Sequence, residues 1–296
     1  MHKKILAPLD GSELAEVALP YAEGLAAGLG SEITLIHVCS SEKSEDYHTH
    51  GVYIQKMAET IKQRVEEEGI KVMSAHLVGH TAEQIVDYAD REDIGLIVMA
   101  THGRSGIRRW VLGDVASKVV RATNRPVALI RAEGARPDVR ETGVVRKALV
   151  PLDGSKESEA IIPHIEELAS RLEAEVVLLH VMAPTYFVYS IPGETIQMPF
   201  TPEDMERFKA KAEHYLETVI AALKNRGINA RAEVAVGAAA DEIIRLADEI
   251  QADIVAMSTH GRSGISRWAF GSTADKVLHA GNTPVLLVRA PDASTE

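Results

Sequence analysis

The sequence predicts an α/β fold made twice: two tandem open parallel five-stranded sheets, each flanked by helices. Three observations predict it. The stretch Ala100-Thr101-His102-Gly103-Arg104-Ser105-Gly106-Ile107 recurs as Ser258-Thr259-His260-Gly261-Arg262-Ser263-Gly264-Ile265, and Pro8-Leu9-Asp10-Gly11-Ser12 recurs as Pro151-Leu152-Asp153-Gly154-Ser155; the chain holds two copies of one unit. Within each copy, short runs dense in Ile, Leu and Val alternate with segments of helical period, the pattern of a parallel sheet covered on both faces. The 296 residues suit two domains of ordinary size, each able to bury its own core.

Copy one reads in order as a strand from Ile5 to Pro8, a helix from Ser12 to Ala27, a strand from Glu32 to Val38 and a helix from Val52 to Glu68. A strand from Lys71 to Val78, a helix from Ala82 to Arg91 and a strand from Gly95 to Thr101 follow, then a helix from Asp114 to Ala122 and a strand from Val127 to Arg131. The first helix has Leu14, Val17, Ala18, Tyr21, Ala22 and Leu25 at helical spacing, with Ser12 or Gly11 as its cap. Pro20, and Pro163 in copy two, fall inside that helix and predict a shared kink.

The two copies keep register with one change of spacing. Asp10 and Asp153 lie 143 positions apart, as do His37-Val38 and His180-Val181, whereas Gly69 and Gly227, His102 and His260, and Gly113 and Gly271 lie 158 apart. Copy two therefore carries 15 extra residues between Val181 and Gly227. Its segment from Pro184 to Pro202 has Tyr186, Phe187, Tyr189, Met198 and Phe200 in a turn-rich context, which leaves three readings open: a lid, a partner surface, or a loop packed on its own domain. The domains are 1–133 and 146–296, joined by a linker at 134–145.

Composition narrows the class. No apolar run approaches the roughly 20 residues of a membrane helix, and Met1-His2-Lys3-Lys4 leads straight into a strand, so a cytoplasmic protein without membrane contact is expected. The net charge of −11 disfavours nucleic acid. Cys39 is the single cysteine and reads as a spectator; His48 and His50 read as part of a solvated loop, and no metal site is expected.

In an open parallel sheet, ligands bind beyond the carboxyl ends of the strands where the winding reverses. Here that crevice would lie between the loop after strand one (Pro8, Leu9, Asp10; Pro151, Leu152, Asp153) and the loop after strand four. These are the two best-matched segments of the repeat. The second loop, Gly103 to Gly113, feeds the helix that starts at Asp114; its counterpart, Gly261 to Gly271, feeds Ser272 and Thr273. Glycines let a backbone approach a ligand closely and a helix's first N–H groups attract anions, so phosphate is the expected guest. Arg104, Arg108 and Arg109, with Arg262 and Arg267, add positive charge.

On these motifs both copies resemble the universal stress protein family in its tandem-domain form. The nucleotide-binding pattern of that family is a glycine, two residues, a glycine, nine residues, then glycine with serine or threonine. Copy two fits with Ser258 in the first place, then Gly261, Gly271 and Ser272; copy one has Ala100, Gly103, Gly113 and Asp114. The resemblance implies a Rossmann-like, adenine nucleotide alpha hydrolase-like fold that binds ATP, or AMP or ADP, with Mg2+ accompanying the nucleotide. It places Asp10 and Asp153, with Val38 and Val181, at the adenine end. Met99, Ala100, His102 and Gly103, or Met257, Ser258, His260 and Gly261, would line ribose and phosphates. Gly113, Asp114 and Val115, or Gly271, Ser272 and Thr273, would hold the phosphate tail.

Asp114 would cap its helix without any ligand, and its carboxylate would repel a phosphate within about 4 to 6 Å unless a metal bridged them, so copy two is expected to bind better. The leading reading is a nucleotide-binding stress-response sensor or regulator without a catalytic residue. The alternatives are a slow ATPase or adenylating enzyme, whose Ser-Gly-Gly or His-x-Gly-His signatures are absent from the sequence, and a nucleotide-free scaffold. The last strands, Pro126 to Arg131 and Pro284 to Arg289, would leave open sheet edges; the resemblance implies that they pair with each other, so that the two copies mimic a homodimer within one chain, and a homodimer of whole chains is a further expectation.

Overall fold

A computed structural model of the chain describes residues 2–42, 47–102, 112–133, 135–183, 186–191, 194–199, 201–259 and 271–290. Copy one contains β1 (Lys4–Pro8), α1 (Glu13–Glu16), α2 (Leu19–Leu29), β2 (Glu32–Cys39), α3 (Tyr47–Arg64), β3 (Val72–Val78), α4 (Thr81–Arg91), β4 (Leu96–Ala100), α5 (Asp114–Ala122) and β5 (Val127–Ile130). The short helix α6 (Val139–Thr142) follows. Copy two then runs β6 (Lys147–Pro151), α7 (Lys156–Glu159), α8 (Ile162–Leu172), β7 (Glu175–Met182), β8 (Tyr186–Ile191), β9 (Glu194–Pro199), α9 (Pro202–Lys224), β10 (Ala230–Val236), α10 (Ala239–Glu249), β11 (Ile254–Ser258), α11 (Ser272–Ala280) and β12 (Val285–Val288).

Each copy forms the expected parallel five-stranded sheet, ordered β3-β2-β1-β4-β5 and β10-β7-β6-β11-β12. The winding reverses between β1 and β4 and between β6 and β11. The two sheets meet at their last strands: Val285, Leu286 and Leu287 lie opposite Leu129, Ala128 and Val127 in antiparallel register, and a single ten-stranded sheet results. Alternation along β1 sends Ile5 and Ala7 to one core and Leu6 to the other, and each core runs across both copies. No helix among the described residues is long and apolar enough to cross a membrane.

The predicted kink at Pro20 is instead a break between two helices. Ser12 caps α1, its hydroxyl accepting the Ala15 N–H at 3.2 Å, and α2 starts afresh at Leu19 with Pro20 in its first turn. A proline there forfeits no helical hydrogen bond, because the first-turn N–H groups have no partner in the helix. Pro163 holds the same place in α8. The helix expected from Val52 begins earlier, at Tyr47, which puts His48 and His50 on α3 and not in a solvated loop.

The segment read as a linker is fastened down. Val139, Val144 and Val145 are buried, the Arg136 N–H donates to the Tyr21 hydroxyl at 3.0 Å, and buried Asp253 accepts the Arg146 and Lys147 N–H groups at 2.7 and 2.9 Å while pairing with Arg136. Glycines let neighbours approach α2 closely: a β-carbon on Gly28 would lie 2.0 Å from Leu172 Cδ2 on α8, and one on Gly24 would lie 3.0 Å from Val144 Cβ in the linker. The insert forms a hairpin, β8 against β9, with Tyr186 opposite Pro199; Pro184 and Phe200 lie outside the described residues.

Candidate functional site

The repeated Pro-Leu-Asp-Gly-Ser loop fixes its own aspartate. Asp10 Oδ1 accepts the Ser12 N–H at 3.0 Å and the Ser12 hydroxyl at 2.6 Å, and Gly11 supplies a φ of +81°. That is the left-handed region, which glycine enters at least cost. Copy two repeats the arrangement with Asp153 Oδ1, Ser155 and Gly154 (φ +80°). Serine therefore caps the short helix and orients the carboxylate together. The next strand anchors each loop, since the Leu9 N–H donates to the Ile36 carbonyl and the Leu152 N–H to the Leu179 carbonyl, both at 2.8 Å.

Across the crevice the strand-four loop closes on itself. The Gly113 N–H donates to the Thr101 carbonyl at 2.8 Å, and the Gly271 N–H to the Thr259 carbonyl at the same distance. The chain thus returns to the end of the strand it left and enters a nine-residue helix whose first N–H groups face the opening.

A cavity of about 320 Å3 in copy one brings together Pro8, Leu9, Asp10, Val38, Met99, Ala100, His102, Gly113, Asp114 and Val115. Its counterpart of about 300 Å3 brings together Pro151, Leu152, Asp153, Val181, Met257, Ser258, Gly271, Ser272 and Thr273. Gly103, Arg104, Arg108, Arg109, His260, Gly261, Arg262 and Arg267 lie outside the described residues. The walls also include residues that the sequence reading missed: Ile36, Thr81 and Ile85 in copy one, and Leu179, Ala239 and Ile243 in copy two. Ile36 and Leu179 were within reach of it, each standing two residues before the valine already singled out and so on the same strand face.

The two crevices differ in charge at the helix start. Asp114 is the first helical residue and not the cap; Gly113 is the cap residue, with no side-chain capping bond. The Asp114 carboxylate pairs with Lys118 at 2.7 Å and is 77% exposed. In copy two Ser272 takes its place, and Lys276, the counterpart of Lys118, pairs with Asp241 on α10 at 2.6 Å. His102 Nδ1 lies 3.0 Å from the Thr101 hydroxyl, and its buried Nε2 has no hydrogen-bond partner among the described residues.

A larger cavity, about 780 Å3, opens between α2 and the linker, but its charges are used internally. Buried Glu23 pairs with Arg64 at 3.1 Å and Arg140 at 3.7 Å. Burial raises its pKa, against the pull of the two guanidinium groups.

A model of the universal stress protein family matches residues 1–131 and again 145–289. The chain belongs to the universal stress protein family. A universal stress protein of Mycobacterium bovis is 26% identical over 303 residues, covering 96% of each chain, and one of Synechocystis is 25% identical over 316 residues, covering 97% of this chain and all of the other. The crystal structure of a universal stress protein from Archaeoglobus fulgidus aligns with a TM-score of 0.69 at 21% identity, covering 98% of this chain and 97% of that one. The tandem arrangement is thus shared along the full length, and the solved structure shows the same fold. Ala100 and Asp114 in copy one, and Ser258 in copy two, are where this universal stress protein departs from the glycine pattern named above.

Proposed function

We propose that the chain is an adenine-nucleotide-binding sensor or regulator of the stress response, with ATP held in the copy-two crevice more tightly than in copy one. The observation that carries this reading is the pair of equivalent cavities at the two winding reversals, each with an aspartate fixed at one end and a helix N-terminus at the other. The apolar wall of Val181, Ile243 and Met257 suits a purine ring. Asp153, held by Ser155, would accept from an exocyclic amine or a ribose hydroxyl. Ser272, Thr273 and the first N–H groups of α11 suit a phosphate tail, and Mg2+ would offset the charge of that tail.

Among the described residues, the Thr101 hydroxyl and no carboxylate lies against the His102 ring, which favours regulation over acid–base chemistry. The antiparallel pairing of β5 with β12 supports reading the chain as an internal dimer, in which nucleotide at either crevice acts on one shared sheet. Denaturing the purified protein and chromatographing the supernatant tests the reading: adenine nucleotide is expected, and protein free of it that also fails to take up ATP would reject the proposal. Turnover of ATP well above background, lost in Asp153→Ala, would replace the sensor with an enzyme.

A further inference from the structure

Beside the copy-one crevice, three strand residues and one helix residue bring three imidazoles and a thiol together. Cys39 ends β2 and is 5% exposed; its Sγ lies 3.2 Å from His76 Nε2 and 3.5 Å from His50 Nδ1. His37 precedes Cys39 by two residues, on the same face of β2, and stands opposite His76 in the β2–β3 register. The donor atoms of His37, Cys39 and His76 all fall within 4.8 Å of one another. His50 stands beside this group on α3, its ring centroid 4.4 Å from that of His37; it lies outside the 4.8 Å set and would reach a fourth ligand position by a side-chain rotation.

The surroundings suit metal ligation. His37 Nδ1 lies 2.8 Å from the Leu9 carbonyl. A carbonyl only accepts, so Nδ1 carries the hydrogen and Nε2 keeps its lone pair, the usual outer support of a metal-bound histidine. Zinc–sulfur and zinc–nitrogen bonds of about 2.3 and 2.0 Å at a tetrahedral angle put sulfur and nitrogen roughly 3.5 Å apart. The two sulfur–nitrogen separations found here are close to that value.

The repeat supplies an internal comparison. In copy two His180 remains, but Met182 stands in place of Cys39 and Val234 in place of His76, in the same β7–β10 register. The sheet therefore does not need a thiol or a second imidazole at these positions in order to pack. We propose that His37, Cys39 and His76, with His50 as the fourth ligand, form a site in copy one for one divalent transition-metal ion of zinc's class. One thiolate and three imidazoles select a borderline-soft cation over Mg2+ or Ca2+. On binding, the Cys39 thiol gives up its proton to solvent and no electron is transferred. The ion would tie β2, β3 and α3 together and, through His37 and the Leu9 carbonyl, steady the loop that carries Asp10.

The experiment uses the full chain, reduced, stripped with chelator and free of nucleotide. Titration with Co2+ is expected to give a thiolate-to-cobalt charge-transfer absorption and tetrahedral visible bands that saturate at one equivalent and vanish when Zn2+ is added. Zn2+ is also expected to slow iodoacetamide labelling of Cys39, and because this is the sole cysteine, labelling reads that thiol alone. Cys39→Ser should abolish the charge-transfer band, and His76→Val, which installs the copy-two residue, should weaken Zn2+ binding roughly tenfold or more. Absence of saturable cobalt absorption and of protection in the unaltered protein would overturn the site. So would metal binding that persists unchanged in both variants. Where a variant misfolds by circular dichroism, the two measurements on the unaltered chain decide by themselves.

Discussion

The Gly113 N–H donates to the Thr101 carbonyl oxygen at 2.8 Å, and a β-carbon on Gly113 would stand 2.7 Å from that same oxygen. The contact that closes the loop is therefore the one that forbids a side chain. Because the obstacle is backbone, no rotamer change relieves it. Gly113→Ala is expected to lower stability by about 1–3 kcal/mol and to weaken nucleotide binding in copy one while leaving copy two unaffected. Urea unfolding with an unchanged midpoint would contradict the first expectation.

The helix starts predict a tunable difference between the crevices. Exchanging the two residues, Asp114→Ser and Ser272→Asp, should tighten copy one and loosen copy two for ATP. Because Asp114 is exposed and already paired with Lys118, the repulsion is screened, and a change of roughly five- to tenfold in each Kd is expected. Competition with a fluorescent ATP analogue reads it; no change in either variant would remove charge from the account.

The α2–α8 contact predicts a size effect with a built-in rescue. Gly28→Ala drives a methyl into Leu172 and should cost about 1–3 kcal/mol, less if Leu172 swings aside. Leu172→Ala in the same chain should recover part of that loss, and the double-mutant cycle gives the coupling. Strictly additive losses would show that the two helices do not meet through these residues.

A buried histidine predicts acid sensitivity at the junction of the copies. His2 is 2% exposed, lies 3.1 Å from Glu167 and has His164 as its other neighbour. Desolvation is the main reason its pKa falls to about 4, against partial recovery from Glu167. In the unfolded chain the value is near 6.5, so the unfolded state binds the extra proton first and stability falls as pH drops from about 6.5 to 4, by about 3 kcal/mol if this group acts alone. Burial lowers the pKa of His164 as well, in the same sense. Above pH 7 the contribution is flat. A His2→Gln variant should lose most of this slope in unfolding measurements taken across the window, and an unaltered slope would refute the assignment.

What the sequence could and could not disclose follows the range of the interactions. Asp10, Gly113, Asp153 and Gly271 were legible because their work is local: a turn, a cap, a strand end, each kept at a fixed offset between the copies. The break before Pro20 was not, since a period count treats a proline in a first turn like one in a helix interior. Gly24 and Gly28 act on Val144 and Leu172, partners far along the chain, so their spacing alone carried no message. Cys39 and His76 come together only through the β2–β3 register, which lies beyond reading either strand by itself. The antiparallel seam between β5 and β12 was implied by the family resemblance alone, because the residues of the two strands show only that each ends a sheet.

Isothermal titration of ATP with Mg2+ into the full chain, alongside Asp153→Ala, bears most directly on the nucleotide reading. Two saturable sites of unequal affinity are predicted, the tighter one weakened by the substitution. Absence of saturable heat, or two sites of equal affinity indifferent to Asp153, would contradict it.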